Sequence, residues 1–196
     1  MASSSTSSSP SSPFPPQLTA AAEEVAHLLR SRHETISVAE TAAGGLVSAS
    51  LLATPGASRF YKGGLTLYTL ESRVALAGWT QADIDAYDGP TPKLVEGLAR
   101  HVRKTLKATY CVGESGTAGP TPSGQSPNRQ PPAVAYRTLV AYVDSKERGY
   151  VALAVVGENG ALSKDLDTEL GGDRQANMVA FAVEALGLVK EYILQQ

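Results

Sequence analysis

Residues 35–53 constrain the fold more than any other stretch of the chain. TISVA (35–39) reads as a short buried strand, and GLVSASLLA (45–53) as a helix stopped by Thr54, Pro55 and Gly56. Between them lie only the small residues of AETAAGG (39–45), so the chain turns out of a strand straight into a helix. Neither element can bury its apolar surface alone, which calls for a layered arrangement of helices on a sheet.

The remaining pattern agrees. Leu18, Ala21, Ala22, Val25, Leu28 and Leu29 recur at helical spacing and predict a first helix ending near Arg32. RFYKGGLTLYT (59–69) is β-branched and aromatic, a strand with a bulge or close approach at Gly63 and Gly64. Short helices are expected at 71–77 and 81–86, and a longer one carrying Leu94, Val95, Leu98, Val102 and Leu106. ATYCVG (108–113) reads as a buried strand. GESGTAGPTPSGQSPNRQPP (113–132), with five prolines and four glycines, reads as a long loop. Strands at 137–143 and 149–156, an edge strand at 162–169 and a last helix from about Asp173 complete the prediction. Helices alternating with strands, then a run of strands, imply an α/β class, specifically a three-layer α/β/α domain with a mixed sheet.

Composition excludes several functions. The first 17 residues, rich in serine and proline, are expected to be a disordered tail, with one domain over 18–196. A net charge of −2 lacks the basic footprint of a nucleic-acid binder. The longest apolar runs, such as GYVALAVVG at 149–157, fall far short of the ~20 residues of a membrane helix. The single cysteine, Cys111, forms no internal disulfide and suggests a reducing, cytoplasmic setting. No Cys/His spacing suggests a metal.

Three segments could carry chemistry. A strand that turns through AETAAGG into a helix exposes backbone N–H groups around Gly44 and Gly45, which suit a phosphate, a carboxylate or a developing oxyanion. Thr41 places a hydroxyl near those donors, and Glu40 is available to orient a group or pair with a cation. The same residues also make an ordinary helix cap. GESGTAGP (113–120) lacks the lysine of a P-loop and the spacing of a dinucleotide fingerprint, but its Ser115 and Thr117 hydroxyls and Gly116 and Gly119 could line a ligand. Arg174, in the first turn of a helix where the dipole disfavours a cation, makes sense as a ligand for an anion, though a plain surface role fits equally. Tyr68, Arg73 and Lys62 flank the second strand, where a tyrosine or lysine could assist a hydroxyl nucleophile.

Taken together, ISVAETAAGGLVSASLLATPGASRFYKGGLTLYTLESRVALAG, SGTAGP (115–120) and GDR (172–174) resemble, in order, signatures of the C-terminal domain of competence/damage-inducible protein CinA. That family includes nicotinamide-nucleotide amidohydrolases. The resemblance implies a homo-oligomeric α/β/α domain that hydrolyses the carboxamide of nicotinamide mononucleotide to nicotinic acid mononucleotide and ammonia, with no metal or other cofactor. Thr41 would be the nucleophile, with Tyr68, Arg73 and Lys62 as catalytic partners. Glu40, Gly44, Gly45, Ser115, Gly116, Thr117, Gly119 and Arg174 would bind the pyridine nucleotide.

The chain departs from the family at sensitive positions. The family's serine, cysteine and threonine become Thr41, Ala42 and Ala43, its lysine becomes Arg73, and a second arginine becomes Asn177. Threonine keeps a hydroxyl but adds a hindering methyl, and arginine does not release its proton to act as a base. Three readings follow: a threonine amidohydrolase, a catalytically impaired nucleotide-binding or scaffold protein, or an oligomeric interaction protein with no ligand.

Overall fold

A computed structural model describes residues 12–121 and 148–196. The strand expected at 137–143, most of the proline-rich stretch and residues 1–11 of the tail lie outside the described residues.

Among the described residues, five strands form one mixed sheet: β1 (Ile36–Glu40), β2 (Tyr61–Thr66), β3 (Tyr110–Gly116), β4 (Tyr150–Gly157) and β5 (Gly160–Asp167), in the order β2-β1-β3-β4-β5. β1 runs parallel to both β2 and β3, while β3–β4 and β4–β5 are antiparallel. The helices are α1 (Pro16–Arg32), α2 (Leu46–Ala53), α3 (Leu70–Ala77), α4 (Gln81–Asp85), α5 (Pro92–Leu106) and α6 (Arg174–Leu194).

Side-chain alternation along β1 and β3 divides the core between two faces of the sheet. Ile36, Val38, Tyr110 and Val112 pack with Leu18, Val25 and Leu29 of α1, Val47 and Leu51 of α2, and Phe181, Leu186 and Val189 of α6. Ala39 and Cys111 face the other way, onto Leu98, Ala99 and Val102 of α5. The result is the three-layer α/β/α domain expected from the sequence.

The chief difference concerns β3. The sequence assigns Glu114, Ser115 and Gly116 to a glycine-rich loop, yet all three are strand, paired with Leu153, Ala152 and Val151 of β4. Pairing with a fully apolar partner strand overrides the loop-like composition, since an antiparallel ladder satisfies backbone groups whatever their side chains. This extension places a glutamate and a serine at the sheet end beside the turn after β1.

The connections β1–α2–β2 and β2–α3–α4–α5–β3 place α2 and α5 on opposite faces. The carboxyl ends of β1 and β3 therefore flank a topological switch point, where ligands of open α/β sheets bind.

Candidate functional site

The turn from β1 into α2 is built on two glycines, Gly44 (φ 68°) and Gly45 (φ 99°), in the left-handed region that glycine alone adopts freely. Gly44 also lies under Met178, whose methyl group would stand 2.7 Å from an added Cβ. The sequence correctly marks the turn as tight, but several of the N–H groups around it are engaged within the chain. Glu40 accepts from Val47 N–H and Ser48 N–H, both at 3.1 Å, and from the Ser48 hydroxyl at 2.5 Å. Its carboxylate thus caps α2 where an anion would be received, and it faces donors rather than a cation. Gly44 N–H points to the Thr41 carbonyl at 3.3 Å.

Glu114, which the sequence reading did not single out, takes the other donors. Its Oε2 accepts from the N–H of Thr41 at 2.9 Å and of Ala43 at 3.0 Å. Burial pushes its carboxyl up to about 7; the N–H groups of Ala43, Thr41 and Ala42 oppose that rise, and the nearby Glu40 carboxylate adds to it. Its Oε1 is buried without a hydrogen-bond partner. A glutamate directly after the buried run ATYCVG (108–113) was the one signal available in the sequence.

Thr41 is 3% exposed, and its hydroxyl donates to Ser115 Oγ at 3.0 Å. Beyond them, Thr117 is held between strands by its N–H to the Tyr150 carbonyl at 2.8 Å, and the Gly119–Pro120 peptide bond is cis.

Arg174 joins two of the expected segments. Its Nη1 donates to the Gly119 carbonyl at 2.7 Å, its Nη2 to the Tyr68 hydroxyl at 3.2 Å, and its guanidinium lies 5.9 Å from the Tyr68 ring centre. Both side chains remain open to solvent, Tyr68 being 60% exposed. Asn177 sits below them with no exposure. It donates to the carbonyls of Ala118 at 3.0 Å and Gly171 at 2.8 Å and accepts from the Thr168 hydroxyl, so the residue that replaces an arginine ties the SGTAGP segment to the start of α6.

Neither Arg73 nor Lys62 is a hydrogen-bond partner of Thr41, whose hydroxyl goes to Ser115. Arg73 is 4% exposed and lies against both Trp79 and Tyr87, 5.0 and 4.9 Å from their ring centres, which are themselves 5.7 Å apart, with Nε donating to the Leu67 carbonyl at 3.3 Å. Lys62 is exposed at the register shift where β2 begins. Thr66 pairs with Glu40, so Lys62 is four residues, about 13 Å, from the strand end that leads into Thr41.

A groove of about 670 Å³ opens along α6, lined by Leu170, Asp173, Ala176, Val179 and Val183 among others, and includes none of the expected site residues. Among the described residues, no three His, Cys, Asp or Glu side chains cluster to hold a metal, and no helix is long and apolar enough to cross a membrane.

The chain is similar to known proteins over most of its length. A CinA-like protein of Desulforapulum autotrophicum is 28% identical over 174 residues, covering 89% of this chain and 36% of its own length. One of Fervidobacterium nodosum is 29% identical, covering 85% of this chain and 37% of its own. The chain thus spans little more than a third of these relatives. A competence-damaged protein (CinA) superfamily structure from Klebsiella pneumoniae matches with a TM-score of 0.75 at 18% identity, covering 91% of this chain and 99% of that one. A competence/damage inducible protein from Agrobacterium tumefaciens matches with a TM-score of 0.74 at 21% identity, covering 95% of this chain and 100% of that one. Such structural likeness speaks to the fold alone. The model of the CinA C-terminal domain matches residues 18–130, more than half of the chain, and with the shared fold and motif order this establishes that the chain belongs to the CinA C-terminal domain family.

Proposed function

We propose that the chain binds a pyridine mononucleotide at the carboxyl end of β1 and β3 and has lost efficient hydrolysis of its carboxamide. One observation carries this reading. Around the turn where a carboxamide oxyanion would need donors, the N–H groups of Thr41, Ala43, Val47 and Ser48 are taken by the chain's own Glu114 and Glu40, and the Gly44 N–H points to the Thr41 carbonyl. Arg73, held against Trp79 and Tyr87, and the distant Lys62 agree with it, since neither hydrogen-bonds to the Thr41 hydroxyl and an arginine does not release its proton to act as a base. Absence of a positioned base commonly costs about 10²- to 10⁴-fold in rate.

Binding needs less. Arg174 uses two of its guanidinium donors on Gly119 and Tyr68, which leaves others for a phosphate, and the exposed Tyr68 ring offers a flat face to a pyridine.

The Thr41–Ser115 hydroxyl pair favours a second reading, a threonine amidohydrolase in which Thr41 attacks the carboxamide and Tyr68 handles the proton. Ammonia release from nicotinamide mononucleotide by the wild type, Thr41→Ala and Thr41→Ser separates the two. Background release by the wild type with saturable binding supports the first. Turnover that disappears in Thr41→Ala supports the second.

A further inference from the structure

We infer that Glu114 is the positioning residue of this site: from the neighbouring strand it fixes the turn that presents the Thr41 hydroxyl, and so sets how the site meets its ligand. The effect on ligand rests on the binding reading above, whereas the hold on the turn can be measured with no ligand present.

Successive residues of β3 grip Thr41 twice. Glu114 Oε2 receives the Thr41 and Ala43 N–H groups at 2.9 and 3.0 Å, and Ser115 Oγ receives the Thr41 hydroxyl at 3.0 Å. A main chain held at two amides two residues apart cannot rotate between them, so the Thr41 hydroxyl is aimed by its backbone as well as by Ser115. Glu40 fixes the far end of the same turn through Val47 and Ser48. Both β3 acceptors are buried, Glu114 to 1% exposure and Ser115 to 2%.

A carboxyl group used only to fill this space would be a poor choice, because an apolar side chain of similar volume avoids the penalty of burying a charge. The unpartnered Oε1 sharpens the point: every protein hydrogen bond made by the Glu114 carboxyl goes to the turn. An ionised carboxylate is a stronger acceptor than a neutral acid, so the grip loosens as Glu114 takes up a proton. The influences on that proton are burial, the N–H groups of Ala43, Thr41 and Ala42, and the Glu40 carboxylate of β1.

The test uses the full chain, as wild type, Glu114→Gln and Glu114→Ala. Nitrogen-15 NMR from pH 5 to 9 follows the Thr41 and Ala43 amides without ligand, and calorimetry with nicotinamide mononucleotide follows binding over the same range. In the wild type both amides should move together through one midpoint near 7, and in Glu114→Gln both should stay in place. Wild-type affinity should weaken below that midpoint. Glu114→Gln, which keeps an acceptor, should bind without this pH dependence, and Glu114→Ala should bind about tenfold or more weakly. Two amides that titrate apart or not at all, or a folded Glu114→Ala with wild-type affinity and pH profile, would overturn the inference. Should the alanine variant fail to fold, the wild type and Glu114→Gln decide the question. Should no form bind the nucleotide, the binding reading falls, and the amide titration still decides whether Glu114 holds the turn.

Discussion

Replacing Glu114 by glutamine should stabilise the protein above neutral pH and leave it unchanged in acid. In the unfolded chain the carboxyl ionises near its ordinary value of 4.5, whereas in the fold burial raises this to about 7. The folded state therefore prefers the protonated form. Stability from this group is fully present below pH 4.5, declines as the pH rises through 7, and stays lost above it. At about 1.36 kcal/mol per pH unit, the gap between 4.5 and about 7 corresponds to about 3 kcal/mol. Glutamine resembles the protonated acid, since its oxygen still accepts from Thr41 and Ala43 and its NH2, like the acid O–H, would stand at the Oε1 position that lacks a partner. At pH 8 the variant should therefore melt about 6–12 °C above the wild type, with the gap closing near pH 4.5. Calorimetric melting at pH 4.5, 6 and 8 measures this directly. Parallel curves for the two proteins, or a variant less stable at pH 8, would refute the reasoning.

Three further outcomes follow from named contacts. Asn177→Ala removes two donated hydrogen bonds and one accepted one from a residue with no exposure, and should lower stability by about 2–4 kcal/mol, read as a lower urea midpoint with an unchanged slope. Arg73→Lys restores the family's residue type but removes the planar group that lies against Trp79 and Tyr87, so thermal melting should show a loss of about 1–3 kcal/mol. Arg174→Ala changes an exposed residue and should leave the melting temperature nearly unchanged while weakening nicotinamide mononucleotide binding about 10- to 100-fold by calorimetry.

The fold was legible because its elements announce themselves locally. Apolar spacing in α1, α5 and α6 and the abrupt strand-to-helix change at 39–45 leave few alternatives to a layered α/β domain. The end of β3 was not legible, because Glu114, Ser115 and Gly116 become strand only by pairing with β4, a contact between residues far apart in the chain. The wiring of the candidate site was not legible. Thr41 meets Ser115 and Arg174 meets Tyr68 only because the fold brings together residues far apart in the chain. Which donors remain free depends on where two carboxylates point, and no local pattern encodes that. Arg73 illustrates the same limit. Its place beside the second strand is evident, whereas its capture by Trp79 and Tyr87 depends on how α3 and α4 pack.

The most direct test of the central claim is a calorimetric titration of the wild-type chain with nicotinamide mononucleotide, with ammonia assayed in the same sample. Saturable binding with ammonia at background is the expected result. Absence of binding, or ammonia release that vanishes in Thr41→Ala, would contradict it.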